Sequence, residues 1–127
     1  MPTLAPFGGS SSSGSRISVI AVTSGSGSHY VLLTTQTGSL ITNEGATAEV
    51  YVDLPTASAG LTYGFAIQDG DGMRAIASAG DTIRTGDQVT SVAGYITSSS
   101  IGSVLWMTAI NATEWICYAG AGIWTPN

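Results

Sequence analysis

The chain has one histidine, His29, in a Ser-Gly-Ser-His-Tyr run, and one cysteine, Cys117. A hydrolytic site built on His29 needs a nucleophile within hydrogen-bond reach and a third group to orient the imidazole. Serines crowd the run, yet Gly25-Ser26-Gly27 does not have the spacing of a Gly-x-Ser-x-Gly elbow, so His29 reads as structural. Cys117 sits among Trp115, Ile116 and Tyr118, and Glu114 nearby has the wrong sign to stabilise a thiolate. A packed thiol is expected, and with no second cysteine no intrachain disulfide can form. One His and one Cys fall short of the ligands a zinc site takes from one chain.

The remaining candidates are acidic. Asp69-x-Asp71-Gly72 begins like a calcium loop, but the twelfth position from Asp69 is Gly80 rather than a bidentate glutamate, so the segment reads as a hairpin turn. Asp69, Asp71, Asp81 and Asp87 are the acids from which a glycan-active carboxylate pair would be drawn. Gly25-Ser26-Gly27-Ser28-His29-Tyr30 departs from a dinucleotide fingerprint at its last glycine and opens no helix. Asn111-Ala112-Thr113 has the form of a glycosylation sequon, but residues 1–7 lack the basic and apolar regions of a secretory signal, so no glycan is expected there. The expectation is a protein with no enzymatic activity, no metal and no cofactor.

The elements that would carry these residues are strands. From Arg16 onward the apolar period is two rather than 3.6. Residues 16–23 and 30–35 are rich in Ile, Val, Leu and Thr on both faces, as in central strands. Leu40-Ile41 is a short strand before the Asn43-Glu44-Gly45 turn, and Ala48, Val50 and Val52 alternate with Thr47, Glu49 and Tyr51. Leu61, Tyr63, Phe65 and Ile67 form the clearest inward face, which Asp69-Gly70-Asp71-Gly72 reverses into residues 73–78. Residues 88–96, 103–110 and 114–118 complete the pattern. Trp106, Trp115 and Trp124 recur every nine residues; with Tyr63 and Phe65 they are the expected core or subunit-interface aromatics. About eight or nine short strands predict an all-β fold, an antiparallel sandwich or barrel over residues 16–127. Residues 1–15 read as a flexible arm whose Gly/Ser tether carries an apolar tip, Leu4, Pro6 and Phe7.

Composition narrows the function. Only 9% of the 127 residues are charged, against about 25% in an ordinary soluble domain. There is no lysine, and Ser, Thr, Ala and Gly make up about half of the chain. Strand edges with so few charges pair with copies of themselves unless covered, and short side chains lose little entropy when buried. Contact centres between proteins are likewise poor in charge. A net charge of −5 disfavours nucleic acid, and no apolar run is long enough to span a bilayer. A structural role in a permanent assembly is expected.

Asp53-Leu54-Pro55, Gly60-Leu61-Thr62-Tyr63-Gly64-Phe65, Gly80-Asp81-Thr82-Ile83, Ser99-Ser100-Ile101-Gly102-Ser103, Ala109-Ile110-Asn111-Ala112-Thr113-Glu114-Trp115 and Gly122-Ile123-Trp124-Thr125 together resemble the small β domains of tailed-bacteriophage virion structural proteins. The resemblance covers about residues 50–126 and brings no catalytic set. It implies a virion protein made in the host bacterial cytoplasm: a capsid decoration (cement) protein, homotrimeric, binding the major capsid protein or another virion protein. Leu4, Pro6 and Phe7 are the candidate capsid contacts. The alternatives are a head- or tail-appendage tip that stacks host surface glycans on Trp124, Tyr118 or Tyr95, and a small glycan-active enzyme.

Overall fold

The computed structural model describes residues 16–127; the arm expected over residues 1–15, with Leu4, Pro6 and Phe7, lies outside the described residues. In chain order the strands are β1 (Val19–Ala21), β2 (Tyr30–Val31), β3 (Leu40–Thr42), β4 (Val50–Asp53), β5 (Thr62–Ala66), β6 (Met73–Ile76), β7 (Thr82–Thr85), β8 (Gln88–Val89), β9 (Tyr95–Ser98), β10 (Val104–Ala109), β11 (Glu114–Ala121) and β12 (Thr125–Pro126), with one 3-10 turn at Thr34–Gln36. The all-β expectation holds, but with twelve strands rather than eight or nine. The excess has three sources. β7 lies between two Gly-Asp pairs that read as punctuation, β12 is only two residues long, and the strand expected over residues 88–96 breaks at a turn where Ala93 has φ 58°.

Two mixed sheets share one core, in the order β1-β3-β5-β10-β11-β7-β8 and β12-β9-β6-β4-β2. The expected purely antiparallel pairing is corrected. β1–β3, β3–β5, β2–β4, β4–β6 and β7–β11 are parallel. Up to β6 the chain alternates strictly between the sheets, and parallel partners lie 21 to 24 residues apart: Val19↔Leu40, Leu40↔Gly64, Tyr30↔Val52, Val50↔Met73. The first half is therefore three stacked coils. β9 and β10 then run antiparallel against β6 and β5 and close one side of the stack. The connections between successive coil strands, roughly six to eight residues, are longer than most hairpin loops and cross the core instead.

Asp69-Gly70-Asp71-Gly72 is such a crossing, which corrects its reading as a hairpin. It carries the chain from β5 in one sheet to β6 in the other. Asn43, fully buried, holds it there: Nδ2 donates to the carbonyls of Asp69 (2.8 Å) and Gly72 (3.2 Å), and Oδ1 accepts from the amides of Gln68 (2.7 Å) and Asp69 (2.9 Å). Gly72 has φ 90°, and a Cβ there would stand 2.9 Å from the Ser98 carbonyl oxygen. A genuine two-residue hairpin forms at Gly86-Asp87, between the paired Thr85 and Gln88.

The core is built from registered inward rows. Ile20, Ile41, Phe65 and Leu105 cross four strands of the larger sheet; Tyr63, Met107 and Cys117 form a second row, and Ala109, Trp115 and Ile83 a third. Val50, Val52, Met73, Ala75 and Ile96 are buried from the smaller sheet. Tyr63 donates its hydroxyl to the Leu33 carbonyl at 2.7 Å, and desolvation raises its pKa above the ordinary tyrosine value.

The strands expected to be central are not. β1 and β2 are the outermost strands at one end of the stack, and Val19 and Val31 are 64% and 58% exposed. Their two-sided apolar pattern, typical of a covered strand, stands at an edge.

Candidate functional site

Period-two alternation that sends one row inward sends its neighbours outward. On the outer face of the seven-stranded sheet, register aligns Val19, Leu40, Gly64, Trp106 and Tyr118 across five strands. A second row, Thr62, Thr108, Ile116, Arg84 and Val89, runs beside it. Tyr118, Val89 and Ile116 are exposed, and Trp106 is half-buried. The polar atoms here are hydroxyls tied to one another: Thr62 Oγ1 to Thr108 Oγ1 at 2.9 Å, and Thr108 Oγ1 to the Tyr118 hydroxyl at 2.9 Å. The charge on these rows is Arg84, already paired with Glu114 at 3.0 Å. A face of apolar groups and self-satisfied hydroxyls gives up little hydration when covered.

Gly64 organises this face. The Trp106 indole lies directly over it, so that a Cβ would stand 2.6 Å from ring atom Cε2. The aromatic ring covers the backbone that glycine leaves bare. Gly64→Ala is expected to displace the ring, costing about 1–3 kcal/mol as an overpacking change, and to red-shift tryptophan fluorescence. An unshifted spectrum would place the indole elsewhere.

The expected aromatic set is thus divided. Trp115, Tyr63 and Phe65 are fully buried. Trp106 belongs to the outer face, and Trp124 packs half-buried against the core margin with Nε1 donating to the Ala121 carbonyl at 3.3 Å. The nine-residue spacing has no common structural meaning, because the three indoles occupy three different environments.

The outer face of the five-stranded sheet is chemically the opposite. His29, Tyr51, Arg74 and Tyr95 form a stacked ladder: the His29 and Tyr51 ring centroids are 5.0 Å apart, and the Arg74 guanidinium lies 4.6 Å from the Tyr51 centroid and 4.3 Å from that of Tyr95. Glu49 accepts from Arg74 Nε at 3.2 Å and from Thr97 Oγ1 at 3.2 Å. Partial burial works against the Arg74 charge, but the hydrogen bond and charge of Glu49, helped by the two phenols, outweigh it and raise its pKa. His29 Nδ1 and Asp53 Oδ1 are 2.8 Å apart, an arrangement that fixes the imidazole. Arg74 thus lies over the rings of both Tyr51 and Tyr95, and Tyr51 also contacts the tilted His29 ring. This ladder braces four neighbouring elements, a role that sequence spacing does not reveal because its members come from separate coils.

The four candidate acids do not gather. Asp69 and Asp71 share one turn, where the Asp71 amide donates to Asp69 Oδ1 at 3.0 Å. Desolvation, then the hydrogen bond and charge of Asp69, raise the Asp71 pKa. Asp81 is buried, and its Oδ2 accepts from the Ala57 amide at 2.8 Å; Asp87 is at the β7–β8 turn. Among the described residues no group of three or more His, Cys, Asp or Glu could hold a metal ion. Desolvation pushes the Cys117 thiol up to about 12, so it stays protonated at physiological pH. Among the described residues no helix is long and apolar enough to cross a membrane. Compared with known proteins, the sequence matches no family model and no curated relative.

Proposed function

We propose that this chain is a structural subunit of a bacteriophage particle, a capsid decoration protein that assembles as a homotrimer through the outer face of its seven-stranded sheet. The observation that carries the reading is the Val19–Leu40–Trp106–Tyr118 row, an apolar stripe flanked by satisfied hydroxyls and one neutralised ion pair. A soluble monomer keeps exposed faces charged to resist association; on these rows the only charge is Arg84, neutralised by Glu114. Three copies that turn this face toward a common axis bury it and leave the ion-paired ladder of the smaller sheet outside. The resemblance of residues 50–126 to phage virion β domains supplies the particle.

Ile116 and Tyr118 point away from the core, so lysine at both positions leaves the fold intact and places like charges at the shared axis. The Ile116→Lys/Tyr118→Lys variant is expected to lose the trimer and to bind empty capsids at least tenfold more weakly in co-sedimentation. Capsid occupancy equal to wild type would rule this face out. Quenching of tryptophan fluorescence by host polysaccharide, with no capsid binding by either protein, would instead favour the appendage-tip reading.

A further inference from the structure

We propose that the open end of the coil stack, formed by β1 and β2, is a second self-association surface at which two copies join their sheets edge to edge about a two-fold axis. The β1–β3 ladder uses the backbone of alternate residues: the Leu40 amide donates to the Ser18 carbonyl and the Val22 amide to the Thr42 carbonyl, both at 2.8 Å. The N–H and C=O groups of Val19 and Ala21 therefore point the other way, where no strand among the described residues meets them. In β2 the Leu32 amide donates to the Asp53 carbonyl at 2.9 Å, which turns the backbone of Val31 outward in the same manner.

Natural proteins blunt such edges with lysine, proline, bulges or very short strands. The opposite end of this stack is blunted: β8 has two residues and follows Asp87, and β12 contains Pro126. The β1–β2 end is short as well, with strands of three and two residues, but it lacks the charge and the proline that guard the other end. Residues 17–22 and 30–33 contain neither charge nor proline, and Ile17, Val19, Val31 and Leu33 are each more than half exposed. A groove of about 540 Å³ beside β1, lined in part by Ile17, Val19, Gln36 and Ser39, adds a concavity at the same end.

The occupant that fits is a second copy. Covering both edges at once requires two strands with the separation of β1 and β2, and the same coil end of another molecule has that separation by construction. An axis normal to the sheets and centred near Ile20 sets Val19 of one copy opposite Ala21 of the other, so their outward N–H and C=O groups bond reciprocally in an antiparallel pair. β2 meets its own copy likewise. Arg16 of the two copies then falls at opposite ends of the joined strand pair, and no charges oppose each other. This axis is perpendicular to the threefold proposed above, and together the two contacts give a six-chain assembly of dihedral symmetry.

The test is the solution mass of the full chain by light scattering, for wild type and for Ala21→Pro/Val31→Pro. Both prolines remove only outward N–H groups. The variant is expected to have half the wild-type mass, three chains against six, with unchanged circular dichroism. If the prolines unfold the domain, Ala21→Lys/Val31→Lys makes the same test through like-charge repulsion across the axis. Equal masses for wild type and a folded edge variant overturn the proposal and leave the coil end to a foreign strand. The outcome separates from the trimer reading: if only the sheet-face contact fails, wild type is a dimer and the edge variant a monomer, so the twofold ratio survives.

Discussion

Trp115→Ala is expected to lower unfolding free energy by about 3–5 kcal/mol, the range for emptying a large buried aromatic site. Domains of ordinary stability have only about 5–15 kcal/mol in total. Trp115 is 0% exposed, is registered between Ala109 and Ile83, and sits 5.9 Å from the Tyr63 ring centroid. Its small registered neighbour, Ala109, cannot expand into the space, so the cavity persists. The indole Nε1 is buried without a hydrogen-bond partner in the described structure. An unsatisfied buried donor costs about 1–3 kcal/mol, so Trp115→Phe recovers part of what the smaller ring loses in packing. Urea unfolding of the three proteins checks both points: an alanine variant within 1 kcal/mol of wild type would place Trp115 outside the core.

Asn43→Ala is expected to cost about 2–4 kcal/mol, because a side chain with both its donors and its acceptor engaged leaves buried peptide groups unpaired when removed. The damage is local in origin. Gln68 and Asp69 lose the acceptor of their amides, and the carbonyls of Asp69 and Gly72 each lose one of two donors, keeping the Gly72 and Val50 amides respectively. The crossing from β5 to β6 then keeps its turn bond and, at its two ends, the backbone bonds of Ile67 with Gly102 and Ser103 and of Gly72 with Val50, but its middle is unanchored. Asn43→Asp keeps the acceptor and loses the donors, and is expected to fall between wild type and alanine. Hydrogen exchange at the Gln68 and Asp69 amides reads the effect directly: protection that survives Asn43→Ala would mean the crossing is fixed by other contacts.

Alternation made the strands legible, because inward and outward residues follow period two whichever way a neighbour runs. For the same reason it could not distinguish the antiparallel meander from the parallel coils, and Val50, Val52, Tyr63 and Phe65 would read alike in either. Connection length carried the missing signal. The six- to eight-residue links between coil strands suit a crossing between sheets, whereas Asp69-Gly70-Asp71-Gly72 taken alone has the residues of a tight hairpin. Asn43 decides between them from 26 residues away, beyond any local pattern. The nine-residue spacing of the tryptophans likewise left core and interface open, and it is the register that puts Trp106 outward and Trp115 inward. Of the outer face of the larger sheet, the low charge was visible in composition. Its concentration on one face was not, because the row from Val19 to Tyr118 is assembled from strands about a hundred residues apart in sequence.

In the proposed particle, copies of the same chain cover the neutral face of the larger sheet. The mass of the purified protein, followed over a wide concentration range beside Ile116→Lys/Tyr118→Lys, tests it most directly. A stable oligomer built on threes, reduced to one-third of its mass by the two lysines, is the result this account predicts. A wild-type protein that stays monomeric at every concentration, or an oligomer indifferent to both lysines, would contradict it.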